Sequence, residues 1–318
     1  MICINVTSVD PHFNLATEEY LLKEFADDIL LIWQNAPSVV VGKHQNMMAE
    51  VSYPYLLDSK IPVVRRLSGG GTVVHDAGNV NFTIIATGTS SRVVDFRRFI
   101  TPIIDFLNFR GVPATLSSRN DILVDGMKVS GNAEHVYKNR VLHHGTLLFS
   151  SDLNRLRSSI ASTGASYTDS AVKSHGSRVT NMQPYFATEY TVQDFRNDLF
   201  RFLQKRFAGQ EYALTSSDAG SISTLRDAKY CTWGWNFGYS PTYSFESSAQ
   251  HPLGIKLQVQ KGIIADARLY SRTEHADELT LHNLVGIPHD SYSELENVVK
   301  ACYGNILDEG IELKSILY

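Results

Sequence analysis

The stretch VVRRLSGGGTVVHDAGN, residues 63 to 79, sets three consecutive glycines between β-branched runs and puts two arginines just before them. Glycine has no Cβ, so backbone N–H groups there can approach a ligand closely and several can turn toward one anion. Arg65 and Arg66 add charge and forked donors suited to a carboxylate or phosphate. Ser68 adds a hydroxyl. Read alone, the same residues would also suit a solvated hairpin loop carrying two surface arginines.

The flanking sequence supplies strands and helices around this loop. ICINVTSV, DILLIWQN, SVVVGKHQN, IPVVRRL, TVVHD and NVNFTIIA are short and rich in β-branched residues, the composition of strands. PHFNLATEEYLLKEFA carries apolar residues at helical spacing, and TVQDFRNDLFRFLQKRFAG reads as an amphipathic helix. FRRFITPIIDFLNF has a stripe of Phe99, Ile103, Phe106 and Leu107 that ends at Gly111, while Pro102 predicts a start after Thr101 or a kink. In residues 120 to 150, Asp125-Gly126 signals a tight turn, and a second reversal at Asn139-Arg140 gives a three-stranded meander. Residues 157 to 178 are dominated by Ser, Thr, Ala and Gly, as in a mobile lid or a linker. LGIKLQVQKGIIADARLYS forms a hairpin at Lys261-Gly262, followed by two short helical patterns. The change of texture predicts a domain of residues 1 to 240 and a small unit of 241 to 318.

Composition narrows the function. The 318 residues carry a net charge of −4, which gives no broad basic face for nucleic acid, and no apolar run approaches the roughly 20 residues of a membrane span. Cys3, Cys231 and Cys302 lie far apart, against a disulfide framework or zinc site. MICINVTSVD lacks the features of a secretory leader, so a cytoplasmic location is expected, or the mitochondrial matrix for a processed chain. Phosphate-loop, dinucleotide, zinc-protease and serine-hydrolase motifs are absent.

Two further groups of residues carry chemistry. In NDILVDGMKVSGNA, Lys128 follows a tight turn and precedes Ser130 and Gly131; a lysine so held could neutralise charge developing on an acyl or phosphoryl oxygen. It would equally suit a solvent-facing hairpin. In HHGTLLF, His143 and His144 face opposite sides of a strand, which excludes a shared metal ion.

Together the blocks FNLATEE, VVVGKHQN, RRLSGGGTVVHDAGNVNFT, RNDILVDGMKVSGNA, HHGTLL, SRVTN and WGWNFGYSP run in the order of the lipoate–protein ligase A family, and the chain resembles that family over nearly its whole length. The resemblance implies an α+β fold: a mixed β-sheet with flanking helices, like biotin/lipoate ligases and class II aminoacyl-tRNA synthetases, plus a small α+β C-terminal domain. It implies that free lipoate is activated with ATP to lipoyl-AMP and passed to a lysine of an acceptor lipoyl domain. Carried over by motif, Lys128 is the catalytic residue. Glu18, Trp33, Arg66, Ser68, Gly69, Gly70, Gly71, Asn79, Ser130 and His144 surround lipoate or lipoyl-AMP. His75, Asn120, Asp121, Lys128 and Arg178 approach ATP or AMP, and Asp121 would hold Mg2+. Asn181 accompanies Arg178 near the lid. The implied partners are apo lipoyl domains of 2-oxoacid dehydrogenase E2 subunits and the glycine cleavage H protein, with no nucleic acid and no membrane. WGWNFGYSP would lead into a hinge about which the C-terminal domain swings.

Alternatives within the superfamily are a lipoyl or octanoyl transferase using a preformed donor or a cysteine thioester, and a biotin ligase. A non-catalytic acyl-adenylate-binding regulator is the alternative from another class. No cysteine lies between Lys128 and Phe149, and no helix-turn-helix pattern or basic face accompanies the chain.

Overall fold

The computed structural model describes residues 1–88, 94–249, 253–272, 278–303 and 313–318. Part of the terminal helical pattern, residues 304–312, falls outside them. The chain packs as two units, each taken from several segments. The first comprises Met1–Lys43, Val63–Asn154 and His175–Cys231; the second comprises His44–Pro62, Arg155–Ser174 and Thr232–Tyr318. This partition differs from a single crossing near residue 240, because two earlier segments fold with the C-terminal part.

In the first unit the strands are β1 (Ile2–Asn5), β2 (Ile29–Trp33), β3 (Ser38–Val41), β4 (Val63–Arg65), β5 (Val73–His75) and β6 (Asn79–Thr87). They continue with β7 (Ala114–Leu116), β8 (Ile122–Val124), β9 (Met127–Ser130), β10 (Asn132–Tyr137) and β11 (Arg140–Leu148). The central sheet has the order β10-β11-β6-β2-β1, closed by the short strand Gln210–Glu211. β10, β11, β6 and β2 are antiparallel in turn, and β2 with β1 is parallel, so the sheet is mixed. Small sheets β4-β3-β5 and β7-β8-β9 accompany it.

Helices flank these sheets. Helix α1 (Pro11–Glu24) starts where Asp10 accepts from the His12 N–H, with proline in its first turn. Helix α2 (Phe96–Phe109) is capped by Asp95 and runs through Pro102, so the later start is not observed. Proline removes one N–H from the ladder, but the stripe Phe99, Ile103, Phe106 and Leu107 is buried in the core and holds the helix. Helix α3 (Val192–Arg206) begins with a reciprocal box between Thr191 and Asp194.

Strand alternation gives the central sheet two different faces. Leu30, Ile32, Phe82, Ile84 and Val141 pack with the apolar stripes of α2 and α3. His143 is on this side, 2.9 Å from Glu134 and ringed by Phe82, Phe96 and Phe99. His144 is on the other side, with Glu18 of α1.

The expected meander is divided. Asp125 and Gly126 turn with positive φ, as anticipated, but β9 pairs with β8 while β10 pairs with β11 in the central sheet. Gly131 lies between them, where the chain changes sheets. Lys138, with φ 54°, makes the second reversal just ahead of β11.

The second unit is built on the antiparallel order β12 (Ser166–Asp169), β13 (Tyr243–Glu246), β14 (Leu253–Gln260), β15 (Ile263–Ser271) and β16 (Leu279–Thr280). The polar segment expected to be a mobile lid or linker therefore contributes a strand, paired with β13, preceded by the helix Leu153–Ser159. The segment 44–62 joins through Asn46 to Asp169 at 2.9 Å and through the Tyr53 hydroxyl to the Asp290 carbonyl at 2.7 Å. Lys261 and Gly262, both at positive φ, make the predicted hairpin turn.

Gly78 is required by packing: a Cβ there would lie 2.2 Å from the Ser150 backbone. Gly78→Ala is expected to cost at least about 1–3 kcal/mol through overpacking. The midpoint of urea denaturation measures this, and an unchanged midpoint would contradict the fit.

Candidate active site

The glycine loop is shaped by the arginine that precedes it. Arg66 is buried, and its Nη2 donates to the carbonyls of Gly69 at 2.6 Å and Gly71 at 2.7 Å. Its Nη1 donates to the Val40 carbonyl at 3.1 Å and its Nε to Ser68 Oγ at 2.9 Å. The cation expected to fork onto a ligand thus folds the loop around itself. Drawing carbonyls inward leaves loop N–H groups to be presented the other way. Burial lowers the Arg66 pKa to about 10, with Glu18 opposing the shift, so it stays charged at neutral pH. Arg65, fully buried, donates to the carbonyls of Gly42 and Lys43.

A directed chain of hydrogen bonds runs from both sides into Glu18. Ser68 Oγ lies 2.6 Å from His144 Nε2, and His144 Nδ1 lies 2.9 Å from Glu18 Oε1. From the other side, Trp33 Nε1 donates to Thr83 Oγ1 at 2.9 Å, which donates to the same Glu18 oxygen at 2.6 Å. Guanidinium and indole can only donate, and a carboxylate only accepts. Ser68 must then accept from Arg66 and donate to His144, whose proton sits on Nδ1. Five of the residues that the family resemblance placed about lipoate (Glu18, Trp33, Arg66, Ser68 and His144) are linked through Thr83 into one hydrogen-bond network.

Thr83 was missed by sequence reasoning. The signal was available: Asn79, Asn81 and Thr83 alternate along β6, so three polar side chains share one otherwise apolar strand's face. Asn79 is buried and bonds Asn81 at 2.8 Å. His75, also buried, takes a bond from Asn35 on Nδ1 at 3.0 Å and sits edge-on to Trp33. Burial first, then Arg66 and His144, push its pKa down to about 3.

Lys128 stands on β9 with Nζ 2.9 Å from Asp121 Oδ1. A Cβ on Gly131 would come within 3.1 Å of that ammonium, so the missing side chain leaves it room. Two residues on, Ala133 lies opposite His144 in the ladder and would be 3.9 Å from a Cβ on Gly70. Lys128, the glycine loop and His144 are thereby joined through one strand junction. Asn120, at φ 63°, gives its carbonyl to Asn132, whose amide also reaches buried Ser130. The Lys128 N–H donates to the Arg178 carbonyl at 2.8 Å, and the Thr180 N–H to the Lys128 carbonyl at 3.0 Å. The Arg178 side chain is exposed. Asn181 bonds both backbone groups of Ser151.

No cluster of three or more His, Cys, Asp or Glu able to hold a metal occurs among the described residues. Asp121 offers a single carboxylate. That donor set fits Mg2+, which binds by one or two carboxylates with substrate phosphates.

Thr83→Val is expected to leave the Trp33 N–H and one Glu18 contact unmet, costing about 1–3 kcal/mol, whereas Thr83→Ser keeps both bonds. Thermal denaturation of the pair checks this; equal losses would remove the hydroxyl's role. His75 supplies a pH test. An unfolded imidazole titrates near 6.5 and the folded one at about 3, so unfolding takes up a proton between these values. Its contribution is present above roughly pH 6.5 and is lost as pH falls. His75→Gln should flatten the stability profile across that window.

Comparison with known proteins identifies the family. Residues 10–204 match the model described as the lipoyl protein ligase A/B catalytic domain. The chain is 38% identical over 269 residues to the lipoate-protein ligase LplJ of Bacillus subtilis, covering 82% of this chain and 81% of the relative. It is 38% identical over 293 residues to lipoate–protein ligase 1 of Staphylococcus aureus, covering 90% and 89%. The fold is similar to that of the bipartite lipoate protein ligase of Thermoplasma acidophilum, studied with its E2 lipoyl domain, at a TM-score of 0.64 and 24% identity over 74% of this chain and 96% of that one. On the strength of a catalytic-domain match and two relatives aligned over most of their length, the chain belongs to the lipoate–protein ligase family.

Proposed function

We propose that the cradle formed by residues 66–71, Lys128 and His144 is where this chain performs its family's reaction. It is an ATP-dependent lipoate–protein ligase: it activates free lipoate to lipoyl-AMP and transfers the lipoyl group to a lysine of a lipoyl domain. The observation that carries the placement is the junction joining the Lys128 ammonium, the glycine loop and His144 through residues 131–133.

The chemistry follows from charge. A carboxylate is a poor acyl donor because oxide is a poor leaving group. Its oxygen attacks the α-phosphorus of ATP, pyrophosphate leaves, and a mixed anhydride forms. The neutral acceptor amine then attacks the acyl carbon, the C–O bond to phosphate breaks, AMP departs with that electron pair, and the nitrogen gives up one proton to solvent. Both steps concentrate negative charge beside the cradle, where preorganised donors are worth most. Lys128 supplies the ammonium, and the N–H groups of Gly69, Gly70 and Gly71 supply donors that need no reorganisation. Asn120, Asp121, His75 and Arg178 are assigned to the nucleotide side; Ser130 and Asn79 to the acyl side with Trp33. Mg2+ held by Asp121 would neutralise phosphate charge. The acceptors proposed are E2 lipoyl domains and the glycine cleavage H protein, in the cytoplasm. Among the described residues, no helix is long and apolar enough to cross a membrane.

A thioester route would need a thiolate at this site. Cys3 belongs to the core that packs with α2 and α3, on the sheet face away from His144, and burial raises its pKa.

Mass spectrometry of an apo lipoyl domain incubated with the protein, ATP, magnesium and lipoate should show one added lipoyl group. Addition that persists without ATP would indicate a transferase instead. Lys128→Ala is expected to lower lipoate-dependent ATP–pyrophosphate exchange by on the order of 10²–10³. Exchange at the wild-type rate would remove Lys128 from the mechanism.

A further inference from the structure

The proposed cradle holds fixed charges of both signs before any acid enters it. Arg66 and Lys128 are its cations, and Glu18 and Asp121 its anions, with Lys128 and Asp121 in direct contact. A lipoate carboxylate brought against the glycine loop adds one negative charge in a buried setting, where a charge without hydrogen-bond partners is costly. The Ser68 hydroxyl cannot donate to it at rest, because its single proton already goes to His144 Nε2 while one lone pair accepts from Arg66.

The imidazoles near the cradle differ in what they can do about this. His75 is enclosed, faces Arg66 and His144, and accepts from Asn35 on Nδ1. His135, on β10, faces Lys43 and Lys229, with Glu19 as the opposing charge, and burial disfavours its charged form. His143 is on the opposite face with Glu134. His144 alone among these four has its Nδ1 on Glu18 while its Nε2 meets a hydroxyl that can accept as well as donate. A proton added at Nε2 breaks no hydrogen bond there; it reverses the direction of one. The imidazolium then donates to Ser68 Oγ and remains paired with Glu18.

Resting on the ligase reading above, we propose that binding of the lipoate carboxylate is coupled to uptake of one proton by His144, which releases the Ser68 hydroxyl to donate to the bound acid. The proton comes from the buffer acid and goes to Nε2. Ser68 keeps its own proton and changes only its direction, so no covalent bond is made or broken. Site charge returns to its resting value, with Glu18 neutralising the new cation through Nδ1.

Calorimetric titration of lipoate into the full chain, without ATP, in buffers of different ionisation enthalpy reads the uptake directly. A substantial fraction of one proton per lipoate is expected near neutral pH, with affinity falling toward tenfold per pH unit once the free protein no longer holds that proton. Lipoamide, which is neutral, should bind without uptake. In His144→Gln the uptake with lipoate should vanish. Should that variant fail to fold, Glu18→Gln keeps an acceptor for Thr83 and His144 but removes the charge, and uptake should shrink. Lipoate binding with no proton uptake overturns the coupling and leaves the ligase reading standing. Uptake that persists in His144→Gln, or that is equal with lipoamide, overturns it too. Failure of the wild-type chain to bind lipoate at all removes both readings.

Discussion

The enclosure of one guanidinium by carbonyl oxygens underlies the site. Arg66 gathers Val40, Gly69 and Gly71 by their carbonyls and Ser68 by its hydroxyl. A loop of three glycines is by itself the most entropically expensive segment to order. A buried cation that finds acceptors only in one loop conformation offsets that cost, and the loop in turn satisfies a charge that could not otherwise be buried. The partnership is mutual: neither the glycine loop nor the buried arginine is tenable without the other.

Glu18 is the second element of the same design. Being an obligate acceptor at the end of two donor chains, it sets the direction of every hydrogen bond between Trp33 and Arg66. Directionality is a property of the chain as a whole, because each hydroxyl within it can point either way until its neighbours decide. His144 inherits its tautomer from this arrangement. Its neighbour His143, one residue away, is bound by the same geometry to the aromatic side of the sheet, where its role is structural.

Lys128 is positioned by a different device. Its strand ends at a glycine where the chain leaves one sheet for another, and its backbone is bracketed by Arg178 and Thr180. Backbone pairing fixes the strand, while the absent Cβ at Gly131 leaves room beside the ammonium that pairs with Asp121. A flexible ammonium on a fixed strand suits two successive steps whose negative charge arises at different atoms.

Local chemistry made much of this legible in the amino-acid order. Whereas the role expected of Lys128 came from the family resemblance, turns at Asp125-Gly126 and Lys261-Gly262, the capped helices, the strand character of residues 79–87 and the anion-binding potential of the glycine loop follow from spacing and backbone sterics within a few residues. Three matters did not. The pairing of Ser166–Asp169 with Tyr243–Glu246, the division of the meander between two sheets, and the membership of residues 44–62 in the second unit depend on partners far along the chain. Thr83 and the inward aim of Arg66 were hidden for the same reason: a polar side chain declares its type in sequence, but only the folded chain decides which donor meets which acceptor.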